Sequence, residues 1–251
     1  MAATVDGLSD TVSYYDPEKN ATGDHYCFTE TTPTYVRHEF VKKVFGIVFL
    51  QLLATFGFLT LSYNVRPMKA FLLRHLYIVI IAAVLYLVTV CVVICKPQLA
   101  RNKKAGITIL SIMTVCMAIQ VAYFAFNYAP LEITLAAGIT TALTLVIVLF
   151  AMQTKYDFTG WILYMLMLTF ALFLGGILLI FFPSKVGKII YATVGAIMIC
   201  IYLVIDVQLA VGGKKHEWTI DDYVVAAICI YVDIINLFLY VLRLIGYANK
   251  N

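Results

Sequence analysis

The chain has 251 residues, 63% of them hydrophobic and 13% charged, with a mean hydropathy of +0.92. This composition excludes a water-soluble globular domain and specifies an integral membrane protein. The net charge of +4 and pI near 8.6 are no argument for nucleic acid, because the basic residues fall in short loops between apolar runs, where they act as topology signals.

Residues 1–35 have a composition of their own: Ser, Thr, Asp, Gly and Tyr with few large aliphatics. Such a segment cannot offset its ordering entropy by burial, so it is expected to be a disordered tail. Half of the 14 acidic residues (Asp6, Asp10, Asp16, Glu18, Asp24, Glu30 and Glu39) precede the first apolar run, which divides the chain into an acidic tail and a basic membrane domain. The tail lacks the apolar core of a cleavable signal peptide, and the first span is expected to serve as the insertion signal.

Residues 36–251 hold seven runs long enough to cross a bilayer, which takes about 20 apolar residues. They are roughly Val44 to Leu61, Leu76 to Cys95, Ala105 to Phe126, Ile133 to Met152, Trp161 to Phe182, Ile189 to Leu209 and Tyr223 to Ile245. Pro17, Pro33, Pro67, Pro97, Pro130 and Pro183 all lie in the tail, between runs or at their ends, so none need break a helix within the membrane. The expected fold is an all-α integral membrane protein of seven transmembrane helices behind the disordered tail. Lys and Arg are more numerous on the tail's side, with a cluster from Lys96 to Lys104, and the positive-inside rule puts the tail in the cytosol. Asn20-Ala21-Thr22 is a glycosylation sequon, and a glycan there would mark a lumenal tail instead. Seven spans then carry the C-terminus across the membrane, unless the last segment re-enters. Cys91, Cys95, Cys116, Cys200 and Cys229 lie in or beside apolar runs and read as packed thiols; Cys27 stands alone in the tail, and no Cys/His cluster has zinc spacing.

Asp206 and Asp233 are the only acidic residues inside the apolar runs. An ionisable group in hydrocarbon costs about 3 kcal/mol on insertion scales, so one that persists marks a pathway or a proton site. With about 1.5 Å of rise per residue, Asp206 lies about 9 Å back from Gly212 and Asp233 about 15 Å in from Tyr223, so antiparallel neighbours hold them at comparable depth. Ala226, Cys229, Asp233, Asn236 and Tyr240 form a small and polar stripe on span 7; Ala192, Gly195, Tyr202 and Asp206 do so on span 6. Both stripes are expected to face protein. Two desolvated carboxylates that meet cannot both ionise cheaply and titrate as a unit, which makes a proton-linked cation site. Calcium suits it, because hard cations take carboxylate oxygens. The structural alternative is polar glue, each aspartate bonded to a hydroxyl such as Tyr202 or to the Asn236 amide.

The remaining polar positions read as structural. Gln51 and Gln120 are expected to bond between helices, and the Gly138/Ala142 and Ala192/Ala196 pairs to mark close helix packing. Thr219 and Asp222 have capping-box spacing at the start of span 7, so Asp221 and Asp222 read as helix-start charges and not a calcium loop. His216 and Glu217 lack ligand partners, and His38 and His75 sit at membrane edges beside basic residues.

Three stretches resemble the transmembrane Bax inhibitor motif-containing family, most closely its lifeguard branch: Val36-Arg37-His38-Glu39-Phe40-Val41-Lys42-Lys43-Val44 with Gln51-Leu52-Leu53; Gln153-Thr154-Lys155-Tyr156-Asp157-Phe158-Thr159; and Tyr231-Val232-Asp233-Ile234-Ile235-Asn236-Leu237-Phe238. The resemblance covers about Val36 to Gly246. It implies a seven-helix fold with span 7 central, residence in endomembranes (endoplasmic reticulum or Golgi), suppression of apoptosis, and a pH-sensitive calcium leak gated by an aspartate pair that maps onto Asp206 and Asp233. Tyr202 and Asn236 are expected as supporting polar positions, with calcium bound transiently at the pair as transported ion and no cofactor. The family's Tyr-Asp-Thr-Gln in span 6 appears here as Ile205-Asp206-Val207-Gln208. Some bacterial relatives add an arginine from span 2, where this chain has no basic residue between His75 and Lys96.

Intramembrane aspartyl proteases also place one aspartate on each of two helices, but theirs carry Gly-x-Gly-Asp, whereas Ile230, Tyr231 and Val232 precede Asp233 here; no enzyme is expected. The expected partners are the bilayer, calcium ions, protons and apoptosis-regulating membrane proteins. The rival function is a non-transporting scaffold that inhibits apoptosis by binding such proteins.

Overall fold

A computed structural model describes residues 34–212 and 218–249. The tail, with Cys27 and Asn20, lies outside the described residues, as do His216 and Glu217. Nine α-helices are described: α1 Thr34–Asn64, α2 Arg66–Arg74, α3 Leu76–Cys95, α4 Pro97–Arg101, α5 Lys103–Ala125, α6 Pro130–Gln153, α7 Ile162–Phe181, α8 Lys185–Val211 and α9 Tyr223–Asn249. Seven of them, α1, α3, α5, α6, α7, α8 and α9, are long and apolar enough to cross a membrane, and they coincide with the seven expected runs. α1 starts at Thr34, so the basic stretch Arg37 to Lys43 is helical and continuous with the first span. α9 is a single uninterrupted helix of 27 residues.

α2 and α4 are short helices between spans, each with a proline at its first turn. Pro67 and Pro97 therefore start helices as well as ending loops, because the first turn has no intrahelical use for the missing N–H. Pro130 does the same for α6, where the Glu132 carboxylate accepts from the Ala129 N–H at 3.0 Å. Elsewhere the Asn102 side chain accepts from the Lys104 N–H at 3.1 Å to start α5, and Ser184 Oγ from the Gly187 N–H at 2.9 Å to start α8.

α9 is central. Its most extensive pairing is with α8, and it also packs on α1, α5 and α6. Within its most apolar window 67% of residues are buried, against 6% for the span that contains α7. Side chains on all sides of α9 enter the core, including the fully buried Ile230, Tyr231, Ile235, Leu237, Phe238 and Leu242. α7 packs chiefly on α8 and buries Met165, leaving leucines and phenylalanines outward, as a lipid-facing helix does.

Two expectations on packing are corrected. Gly138 and Ala142 are exposed, and a Cβ on Gly138 would meet nothing within 4 Å; their small side chains face the surroundings and no neighbouring helix. Gln120 bonds its own helix, donating to the Cys116 carbonyl at 3.2 Å. Gln51 does bond between helices, donating to Thr114 Oγ1 on α5 at 2.9 Å.

Candidate proton and cation site

The pairing of α8 with α9 brings Asp206 and Asp233 together. Their carboxyl groups interact side chain to side chain, within hydrogen-bonding reach. Asp233 is buried and Asp206 partly buried. One oxygen of the pair, Asp233 Oδ2, is buried with no hydrogen-bond partner. Among the described residues neither carboxyl has a Lys or Arg partner. A buried carboxyl oxygen without a donor is costly, so this position suits a proton or an oxygen-seeking cation.

Three further side chains are within electrostatic reach of the pair: Cys229 of both aspartates, and Cys200 of α8 and Tyr86 of α3 of Asp233. Tyr86 thus brings a phenol from span 2, where the sequence offers no basic residue. Cys200 also lines a groove of about 410 Å³ between α6, α8 and α9, walled by Leu143, Ile147, Phe158 and Leu237. The groove is apolar.

Of the expected supporting residues, Tyr202 does not serve the pair. Its hydroxyl bonds Thr169 Oγ1 of α7 at 2.8 Å, because α7 covers that side of α8. Asn236 is partly buried on α9, one turn beyond Asp233.

A second polar chain fixes α9 against α1 and α5. Tyr231 Oη and Thr55 Oγ1 are 2.8 Å apart. Since Thr55 spends its only hydrogen on the Gln51 carbonyl at 2.9 Å, the tyrosine is the donor to Thr55. Gln51 then reaches Thr114. On the other side of the pair, Gln208 clamps the loop between α6 and α7: its Oε1 accepts from the Phe158 N–H and its Nε2 donates to the Tyr156 carbonyl, both at 2.9 Å. Asp157 turns that loop, accepting from the Thr159 N–H at 2.9 Å and its hydroxyl at 2.7 Å. Gln208 is two residues from Asp206, so the loop and the carboxylate share one helix end.

Outside the spans, the expected capping box is present: Asp222 accepts from the Thr219 N–H at 3.2 Å and from its hydroxyl. Asp222 has a further role that the sequence did not reveal. Arg101, at the end of α4, donates to both of its oxygens, at 2.8 and 3.2 Å. Burial works against ionisation of Asp222, but the Arg101 guanidinium and Thr219 outweigh it and hold its carboxyl below the usual range.

Residues 37–250 match the family described as Bax1-I, inhibitor of apoptosis-promoting Bax1. The chain belongs to this family. It is 30% identical to human protein lifeguard 3 over 94% of this chain and 77% of that protein, and 29% identical to mouse protein lifeguard 3 over 92% and 76%. Mouse protein lifeguard 4 is 26% identical over 86% of this chain and 88% of its own length. The motifs that carried the resemblance are the segments that meet around α9 in this Bax inhibitor fold: Gln51 on α1, the Tyr156 to Thr159 turn, and Tyr231 with Asp233. Tyr86 and Thr55 were not singled out from sequence; Tyr231 and Gln208 stood only within the family motifs and Arg101 only within the basic cluster, with no contact assigned to any of them. Only Thr55 had a local signal, lying four residues after Gln51 on the same helix face.

Proposed function

We propose that this multi-pass membrane protein is a pH-sensitive calcium leak channel of intracellular membranes, endoplasmic reticulum or Golgi, with its N-terminus in the cytosol. It lowers store calcium and thereby suppresses apoptosis. One observation carries the reading: two carboxyl groups from adjacent spans meet between α8 and α9 and, among the described residues, have no fixed cation beside them. Their charge is then balanced by protons or by a mobile cation. When the pair holds a proton it is closed to calcium. When the proton leaves, the carboxylates offer oxygens to a hard cation. Calcium takes six to eight oxygen ligands in a storage site, and among the described residues no group of three or more His, Cys, Asp or Glu could hold a metal. Two carboxylates alone suit passage more than retention.

Membership of a family described as inhibiting apoptosis-promoting Bax1 supports the downstream effect. Binding to apoptosis-regulating membrane proteins belongs to the same reading.

The test is calcium flux from proteoliposomes across pH. The unsubstituted protein leaks more as pH rises through the titration of the pair, and either Asp206→Asn or Asp233→Asn flattens that response while the protein remains folded. Equal flux in all three proteins, or flux in none, would favour the non-transporting scaffold.

A further inference from the structure

At the end of the bundle where α7 and α9 finish and α8 begins, a groove of about 260 Å³ is lined by Gly176, Leu179, Ile180, Lys188, Tyr191, Arg243 and Tyr247. Its chemistry is two-sided. Leu179 and Ile180 give it an apolar wall, and Ile180 is among the most exposed large apolar residues of the chain, at 76%. The opposite side carries two cations and two phenols.

Arg243 is held in place from behind. Its guanidinium carbon lies 4.7 Å from the Phe124 ring centre and 5.4 Å from that of Tyr240. Stacking on aromatic faces orients the planar guanidinium but satisfies none of its five in-plane N–H donors. Among the described residues Arg243 has no carboxylate or hydrogen-bonding partner, and neither has the Lys188 ammonium. Tyr191 interacts with Tyr240 through its hydroxyl. It lies so close to α7 that a Cβ on Gly176 would sit 3.0 Å from its oxygen, and the absence of that Cβ keeps the groove open.

We propose that this groove binds the phosphate of an anionic glycerophospholipid, with Arg243 and Lys188 as phosphate ligands and an acyl chain along Leu179 and Ile180. The headgroup level of a bilayer coincides with the turn between α7 and α8, where the apolar run gives way to Lys185 and Lys188. Unpaired cations at headgroup level attract lipid phosphates, here on the face where α7 and α9 end, lumenal in the proposed orientation, and guanidinium N–H groups match phosphate oxygens in pairs. The charge balance selects among lipids. Among the described residues the lining has two positive charges and no carboxylate, so a zwitterionic headgroup would bring a third positive group into the groove, whereas an anionic one neutralises it.

The full chain, purified from nanodiscs of phosphatidylcholine doped with phosphatidic acid, is examined by native mass spectrometry for retained lipid. The unsubstituted protein retains phosphatidic acid over phosphatidylcholine, and the Lys188→Gln/Arg243→Gln double variant retains about tenfold less, as expected for loss of charge-assisted hydrogen bonds. Arg74→Gln, expected at the same membrane face but outside the groove, retains as much as the unsubstituted protein. Should the double variant fail to fold, Lys188→Gln at an exposed position gives a smaller drop in the same direction. Undiminished phosphatidic acid in the Lys188→Gln or the double variant overturns the proposal. So does full displacement of the lipid by excess inorganic phosphate, which would make free phosphate the ligand.

Discussion

Polar side chains inside the bundle divide into those that find a partner on another helix and those that do not. Gln51 reaches Thr114, Tyr231 reaches Thr55, Tyr202 reaches Thr169 and Gln208 reaches the loop before α7. Asp233 Oδ2 is left without one. The satisfied bonds have measurable worth. Tyr231→Phe removes one buried donor from a fully buried ring and should lower stability by about 1 kcal/mol, read as a fall in Tm in detergent. Thr55→Val should cost a similar amount, and the double variant should cost less than the sum of the two, since both delete the same bond. Strict additivity would show that the bond contributes nothing. That Asp206 and Asp233 meet was legible from their depth and from helical spacing. The partner of Tyr202 was not, because a stripe on one helix shows which residues share a face and says nothing about which neighbour covers each of them.

Helix pairs obey the same logic at larger scale. α8 and α9 approach closely because Gly195 faces the Tyr240 ring: a Cβ on this glycine would lie 2.5 Å from two ring carbons. Gly195→Ala should therefore displace the Tyr240 ring and loosen the seam between α8 and α9 about 16 Å along the helix from Asp206, costing about 1 to 3 kcal/mol by overpacking and altering the flux through the seam that positions the pair. Gly138→Ala, with nothing within 4 Å, should leave flux unchanged and, as a glycine replaced inside a helix, raise stability by about 0.5 to 1 kcal/mol. Measuring Tm and flux on both variants separates them, and equal effects would refute this account. The sequence marked Gly138 and Ala142 with the same spacing as Ala192 and Ala196, yet only the second pair packs inside the protein. Spacing alone does not distinguish a helix-facing groove from a lipid-facing one. The seven spans were legible because hydrocarbon demands about 20 apolar residues from each. α2 and α4 were not, being shorter and lying where no such demand acts.

For the molecule as a whole, the join between Arg101 and Asp222 ties the α4 segment to the start of α9 across 121 residues of chain. No local pattern could announce a pairing at that separation. Asp222→Asn should cost about 2 kcal/mol at neutral pH. Because the folded Asp222 carboxyl titrates below its ordinary value, its contribution is fully present above the unfolded value of about 3.9 and is lost as pH falls through the lower folded one. The stability gap between the two proteins should thus stay constant from about pH 5 to pH 8 and close only in strong acid, as followed by thermal unfolding across pH. A gap that changes near neutrality would contradict this. Any pH response of flux near neutrality then originates elsewhere than in this join.

The helix at the centre of the bundle follows the other six spans in the chain. During biosynthesis it leaves the ribosome after its future neighbours, and until they enclose it Asp233 stands against lipid at a cost of about 3 kcal/mol. Closure of the bundle around α9 repays that penalty, so the acidic keystone favours completed assembly over any intermediate in which the final span is inserted but left undocked.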